Sequence, residues 1–407
     1  EVLIMDSASM NDNTHRGLLP AGLADILPPE AEHEARVTES LMASFAKFGY
    51  QRVKPPLVEF EEILLSGSGA ATSQQTFRMM DPISQRMLGV RADMTLQIAR
   101  IASTRLADVA RPLRLSYAGQ VLRVKGSDLR PKRQFGQIGA ELIGSNSPQA
   151  DAEVVLMATA ALTDLGVPNL SVDLGMPTLV PAICDALDID LSTDETKFKT
   201  ALNLKDAPAI SRLGEKFGDR ASVLFSDMLK SVGPADNALK ILNKINLPEN
   251  AKAELEKLSA VITCLRERAP DLTITIDPVE TRGYEYHTGV TFTFFALDVR
   301  GEIGRGGRYL ADNTNGNSWG DSSDETATGV SLFIDSILRA LPEPAPQDRV
   351  YITAAGAEAA QKLRAGGWLV VEQFSTDPHS ENPVESAQHA GCSHLWDGNK
   401  VIPLTDT

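Results

Sequence analysis

Thr281-Arg282-Gly283-Tyr284-Glu285-Tyr286-His287-Thr288-Gly289-Val290-Thr291-Phe292-Thr293-Phe294-Phe295 is followed shortly by Gly301-Glu302-Ile303-Gly304-Arg305-Gly306-Gly307-Arg308-Tyr309. The first stretch sets an arginine, tyrosines and a histidine between a strand-like run before it, residues 272–276, and another after it, residues 290–295. That arrangement lays a polar pocket across a sheet. The expectation is an amino-acid-binding floor.

Outward from there, residues 29–48 repeat apolar side chains at Val37, Leu41, Met42, Phe45 and Phe48, near the 3.6-residue period of an amphipathic helix. Gly49 stops it. Residues 49–59 read as a strand broken by Pro55-Pro56, which cannot donate to a ladder and so belongs at an edge or an interface. Residues 77–81 and 86–95 read as two strands around a turn, leading into a helix over about 96–106. Asp93 and Thr95 at that junction can receive an ammonium group or simply cap the helix, threonine being a good N-cap.

Residues 113–125 alternate as a strand, a loop follows at 126–131, and residues 133–144 return as a second strand. On that strand Arg133, Phe135, Gln137, Gly139 and Glu141 share one face, because side chains alternate with period two. The spacing predicts a ligand platform. A helix over 150–165 and a strand over 171–175 come next, and leucines at helical spacing among charged residues predict a helical insertion over 187–268. Residues 313–324 read as a polar mobile loop, 327–341 as a strand running into a helix, and 342–346 as a stiff linker. The remainder, 347–407, reads as a small α/β domain with strands at 350–353, 368–373 and 400–403. Residues 1–15 read as a disordered leader, leaving 16–341 as one sheet domain.

A net charge of −15 makes the surface as a whole repel nucleic acid. Cys184, Cys264 and Cys392 are too far apart for a CxxC pairing, so neither a metal site nor a disulfide framework is expected, and a reducing, cytoplasmic setting is. No run approaches the ~20 apolar residues of a membrane span. No cofactor motif is read.

Together these pieces resemble histidyl-tRNA synthetase, a class II aminoacyl-tRNA synthetase, from Gly17 to about Leu341. Residues 49–59 resemble the dimer-forming first motif and Leu122-Arg123 with the following strand the second. Arg282-Gly283-Tyr284-Glu285-Tyr286 and Gly306-Gly307-Arg308-Tyr309 resemble the two histidine signatures, and Arg133-Gln134-Phe135 with Gln137 adds to them. The implied fold is α+β: a class II synthetase-like antiparallel sheet flanked by helices, with the helical insertion and the small C-terminal α/β domain.

The resemblance breaks where the synthetase handles ATP. Lys125 stands where the family has a glutamate that reads the adenine. The third motif, Gly-x-x-x-Gly-x-Glu-Arg in the family, reads Gly329-Val330-Ser331-Leu332-Phe333-Ile334-Asp335-Ser336 here, without the second glycine and the phosphate arginine. The C-terminal domain carries only scattered basic residues such as Arg349, Lys362, Arg364 and Lys400, whereas RNA binding needs clustered ones. A histidine pocket without ATP chemistry or tRNA binding resembles the paralogous regulatory subunits of ATP phosphoribosyltransferase.

That resemblance implies L-histidine as ligand, a short-form catalytic subunit as partner, and a homodimer within a larger hetero-oligomer. Carried over by position, Asp93, Thr95 and Gln137 resemble the α-amino site, Arg282 the carboxylate partner, and Glu141 with Tyr286 the imidazole contacts. Arg123 is a carboxylate contact or a remnant of the ATP half. His287 replaces a family tyrosine and is a ligand contact or a packed core residue, and Asp93 replaces a family glutamate. An active synthetase and a stand-alone amino-acid sensor are the alternatives.

Overall fold

The computed structural model describes residues 17–65, 72–127, 129–191, 194–280, 286–311, 325–353, 357–374 and 382–404. The expected leader and mobile loop, and Arg282, lie outside the described residues. Contacts divide the chain into two units, Glu1–Pro342 and Glu343–Thr407.

The first unit runs α1 (Glu30–Lys47), β1 (Gln51–Arg52), β2 (Val58–Phe60), α2 (Glu61–Leu64), β3 (Arg78–Met80), β4 (Met87–Val90), α3 (Thr95–Thr104), β5 (Leu113–Leu122) and β6 (Gln134–Ile143). It continues with α4 (Pro148–Asp164), β7 (Ser171–Gly175), α5 (Leu179–Ala186), α6 (Glu195–Asn203), α7 (Ala207–Phe217), α8 (Asp219–Lys230), β8 (Gly233–Pro234), α9 (Ala235–Leu242) and α10 (Glu249–Arg268). It ends with β9 (Thr273–Asp277), β10 (His287–Phe295), β11 (Gly304–Ala311), β12 (Glu325–Phe333) and α11 (Ile334–Ala340).

Nine strands form one sheet in the order β1-β5-β6-β12-β11-β10-β7-β9-β8. It is antiparallel except where β1 meets β5 and β7 meets β9, so the expected antiparallel sheet is mixed. The Pro55-Pro56 break follows β1, which lies at the sheet edge as a strand ended by prolines must. The runs expected on either side of the opening stretch are β9 and β10, and β7 is threaded between them. The glycine-rich stretch after β10 is itself a strand, β11, which propensity alone does not suggest.

Helices cover one face of this sheet. Glu30 and Glu32 in the first turn of α1 and Lys47 in its last suit the helix dipole. Its apolar stripe of Val37, Leu41, Met42 and Phe45 is buried, and Gly49 ends it with φ +85°, a conformation that favours glycine. Ser147 caps α4 by accepting from the Ala150 N–H at 3.3 Å, with Pro148 at the first helical position. Val154, Val155, Met157 and Leu162 of α4 are fully buried against the sheet. Truncating one of them to alanine costs about 2–5 kcal/mol.

The opposite face carries α3 and a smaller apolar cluster that includes Met94, Ile98, Leu113, Leu115 and Phe333, beside the polar side chains of the candidate site. In the second unit, β13 (Arg349–Ile352), α12 (Ala357–Ala365), β14 (Leu369–Glu372), α13 (Pro383–His389), β15 (His394–Trp396) and β16 (Val401–Pro403) form a four-stranded sheet ordered β14-β13-β15-β16. Strand β15 is absent from the sequence expectation because three residues carry too little periodic signal. Among the described residues no helix is long and apolar enough to cross a membrane.

Candidate functional site

Strand register brings the site together. Glu141 on β6 lies opposite Gly329 on β12, which lies opposite Gly307 on β11, which lies opposite Thr291 on β10. Directly opposed residues share a face, so two glycines separate Glu141 from Thr291 along one row. The glycines are required by space. A Cβ at Gly329 would overlap the Glu141 carboxylate, and one at Gly139 would overlap the Tyr117 phenol.

Gly329→Ala therefore tests the floor directly. Forcing a methyl into this packed row is expected to cost about 1–3 kcal/mol of stability, read as an earlier urea midpoint. An unchanged midpoint would contradict the geometry.

Glu141 is 1% exposed. Tyr117 Oη donates to its Oε1 and Tyr309 Oη to its Oε2, each at 3.0 Å. Burial pushes its carboxyl up to about 8, although both phenol donors oppose that rise. Burial, then the neighbouring Glu141 charge, also hold both phenols well above their ordinary range, so they remain donors. Tyr117 extends the network to Thr95 Oγ1 at 3.1 Å and Ser331 Oγ at 3.3 Å.

Gln137 forms the other end. Its Nε2 donates to Asp93 Oδ2 at 3.1 Å and Ser331 Oγ at 2.8 Å, while its Oε1 accepts from the Met94 N–H at 3.0 Å. Asp93 Oδ1 accepts the Thr95 N–H at 2.8 Å. This corrects the capping alternative: Thr95 is the first helical residue of α3, not its N-cap, and Asp93 supplies the capping oxygen. Both capping and convergence on Gln137 are satisfied, because a carboxylate has two oxygens.

Arg123 donates from Nε to the Ala92 carbonyl at 3.3 Å, with its guanidinium 5.1 Å from the Phe135 ring centroid. Burial lowers its basicity and Asp93 opposes that. The Tyr286 and His287 ring centroids lie 4.2 Å apart with the rings tilted by 31°, and Tyr286 meets Tyr309 edge-on at 6.3 Å. Asp93, Thr95, Glu141, Tyr286, His287, Arg305, Tyr309 and Ser331 line one small pocket. Of the expected site residues, only Arg282 is not described.

Beside it, Arg130 fills the space next to Phe333. Arg130 is 8% exposed and stacks over Phe333 at 3.7 Å. Its Nε lies 3.5 Å from Asp335, and its Nη2 lies 3.5 Å from Ser336 Oγ. Lys125 is exposed. Two larger clefts, about 490 and 800 Å³, lie toward α1 and the lead-in at Gly22–Leu27, and neither contains Asp93 or Glu141.

Tyr117, Tyr309, Ser331 and Arg130 were missed as site residues. The period-two pattern puts Tyr117 on a face with leucines, and only the β5–β6 register, Tyr117 against Gly139, reveals that it reaches Glu141. Tyr309 lies within the opening glycine-rich signature, which was a usable signal.

A family model described as histidyl-tRNA synthetase matches residues 22–337. The chain is 51% identical to the ATP phosphoribosyltransferase regulatory subunit of Paramagnetospirillum magneticum, over 97% of this chain and 100% of that one. It is 50% identical to the protein of the same name from Rhodospirillum centenum, over 96% and 97%. Among solved structures, an ATP phosphoribosyltransferase regulatory subunit/histidyl-tRNA synthetase from Bacillus halodurans matches with TM-score 0.74 at 24% identity, covering 89% of this chain and 93% of that one. Histidyl-tRNA synthetase from Nostoc sp. PCC 7120 matches with TM-score 0.75 at 19% identity, over 93% and 90%. With a synthetase-like sheet and relatives at this identity over nearly its full length, the chain belongs to the ATP phosphoribosyltransferase regulatory subunit family, on a histidyl-tRNA synthetase-like fold.

Proposed function

We propose that this chain is a non-catalytic subunit that binds L-histidine on the Glu141 floor, activates a short-form ATP phosphoribosyltransferase catalytic subunit, and passes histidine feedback inhibition to it. The observation that carries the reading is a contrast between two neighbouring groups of side chains that meet at Phe333. The amino-acid half is a connected polar network of Asp93, Thr95, Gln137, Tyr117, Glu141 and Tyr309. The adjoining half holds the Arg130 guanidinium, stacked on Phe333 and paired with Asp335.

In this reading Asp93 and Gln137 take the ammonium and Glu141 the imidazole. Tyr286, His287 and Arg123 border the ligand. Arg282 takes the carboxylate, for which a planar guanidinium fork is matched bidentately. A carboxylate buried as deeply as Glu141 rejects apolar amino acids, which leave it without a partner. The reacting half lacks the family's glycine at Phe333 and its phosphate arginine at Ser336, so histidine is held and not activated with ATP. The subunit pairs with itself through residues 49–59, and the pair joins catalytic subunits in a larger hetero-oligomer that does not take tRNA. Regulation is then a coupling free energy between this pocket and the partner's active site, typically ~1–3 kcal/mol.

Reconstitution tests this. Adding the chain to a short-form catalytic subunit is expected to raise its turnover, and L-histidine to suppress it. Arg282→Ala is expected to weaken histidine binding about 10–100-fold in titration calorimetry, the loss of a charged hydrogen-bonded pair. Histidine-dependent ATP–pyrophosphate exchange, or turnover indifferent to the added chain, would refute the assignment.

A further inference from the structure

The His287 ring lies on the glycine floor. A Cβ built on Gly307 would come within 2.7 Å of His287 Cδ2, so the imidazole rests directly above Gly307. In the same row, the neighbour on one side is Gly329, whose missing side chain leaves room for the Glu141 carboxylate. On the other side, the Thr291 methyl lies 2.9 Å from the same Gly307 position. The strip between Glu141 and Thr291 is therefore one flat, side-chain-free seat, and a ring already sits on it. The space remaining among Glu141, His287, Gly307 and Gly329 is small, about 30 Å³.

We propose that His287 is a resident stand-in for the ligand's imidazole: it holds the seat in the free protein and is displaced when L-histidine binds. This rests on the reading of the floor as a histidine site. On this proposal His287 borders the ligand only after its ring has moved aside, a role distinct from both a retained contact and core packing. Displacement parts the ring from Tyr286, whose ring centroid lies 4.2 Å away. An aromatic contact of this kind contributes modestly beyond its burial. An incoming imidazole then meets the Glu141 carboxylate over Gly329 and takes the place of the ring above Gly307.

The test is calorimetric titration of L-histidine into the full chain and into His287→Ala. The variant is expected to bind about three- to ten-fold more tightly, because no ring has to leave. Equal or weaker binding by the variant overturns the proposal, weaker binding being the mark of a retained contact. Tight binding by the variant alone supports it in its strongest form. Failure of both proteins to bind histidine refutes the histidine site itself and the displacement with it.

A second measurement uses the unaltered protein. The His287 ring protons, identified by their absence in the variant's spectrum, are expected to lie upfield through the Tyr286 ring current and to move downfield as histidine saturates the site. Shifts that stay fixed at saturation overturn displacement.

Discussion

Arg308→Ala is expected to lower the free energy of unfolding by about 3–5 kcal/mol, the penalty for leaving one member of a buried ion pair uncompensated. Arg308 is 7% exposed and Asp151 3%. Its Nε and Nη2 donate to Asp151 Oδ2 at 3.1 and 2.9 Å. Nη1 reaches the Ser145 carbonyl and Thr326 Oγ1, both at 2.8 Å, and Nη2 the Ser147 carbonyl at 3.1 Å. One side chain thus joins β11 to β12 and to the first turn of α4. Burial already raises the Asp151 carboxyl while Arg308 opposes that, so removing the arginine leaves an acid that must take up a proton or stay charged without its partner.

Urea denaturation of the wild type, Arg308→Ala and Arg308→Ala/Asp151→Ala gives the decisive comparison. The double variant should recover part of the loss, because the orphaned acid is gone. A single-variant cost below about 1 kcal/mol would show that the pair is not the clamp described. The effect reaches the pocket by alternation. Arg308 points to the helix side of β11, whereas its neighbours Gly307 and Tyr309 point to the floor.

Much of this floor was legible in the sequence. Gln137 and Glu141 follow from period two on a single strand, and the helix read from about residue 96 places Asp93 at a strand–helix junction whichever role it plays. What was not legible depends on register between strands distant in sequence. Tyr117 is 24 residues from Glu141, and Tyr309 is 168 away. No local pattern states that both phenols arrive at one carboxylate. The mixed sheet escaped for the same reason, since the placement of β7 between β9 and β10 is a property of the crossover and not of any segment. Arg130 sits in the stretch read only as a loop, yet Phe333, Phe135 and Asp335 bury it. Its burial depends on Phe333, which is distant in sequence and packs beneath its guanidinium.

Glu141→Gln is expected to weaken L-histidine binding about 100-fold, near 3 kcal/mol, because the amide keeps the shape but loses the charge that a ring N–H meets. The same residue fixes the pH profile. In the free protein its carboxyl titrates at about 8, while a free imidazole titrates at about 6.5. Between those values the ligand arrives neutral and Glu141 arrives protonated. The proton passes to the ring, so an imidazolium–carboxylate pair forms with no net exchange with solvent. Below about 6.5 a proton must be released on binding, and above about 8 one must be taken up, so affinity falls on both sides. Calorimetry near pH 7.2 should give the same enthalpy in buffers of different ionisation enthalpy, and the Glu141→Gln profile should lose its alkaline limb. Affinity that keeps rising through pH 8 would overturn this protonation scheme. The ligand-free protein gives an independent check of sign. A carboxyl whose folded pKa is raised from 4.5 to about 8 contributes stability that is full below 4.5 and lost as pH climbs to 8. The wild type should therefore lose melting temperature across that window relative to Glu141→Gln, whose amide does not titrate. Parallel melting curves for the two proteins from pH 5 to 8 would mean that Glu141 is already ionised behind its two tyrosines.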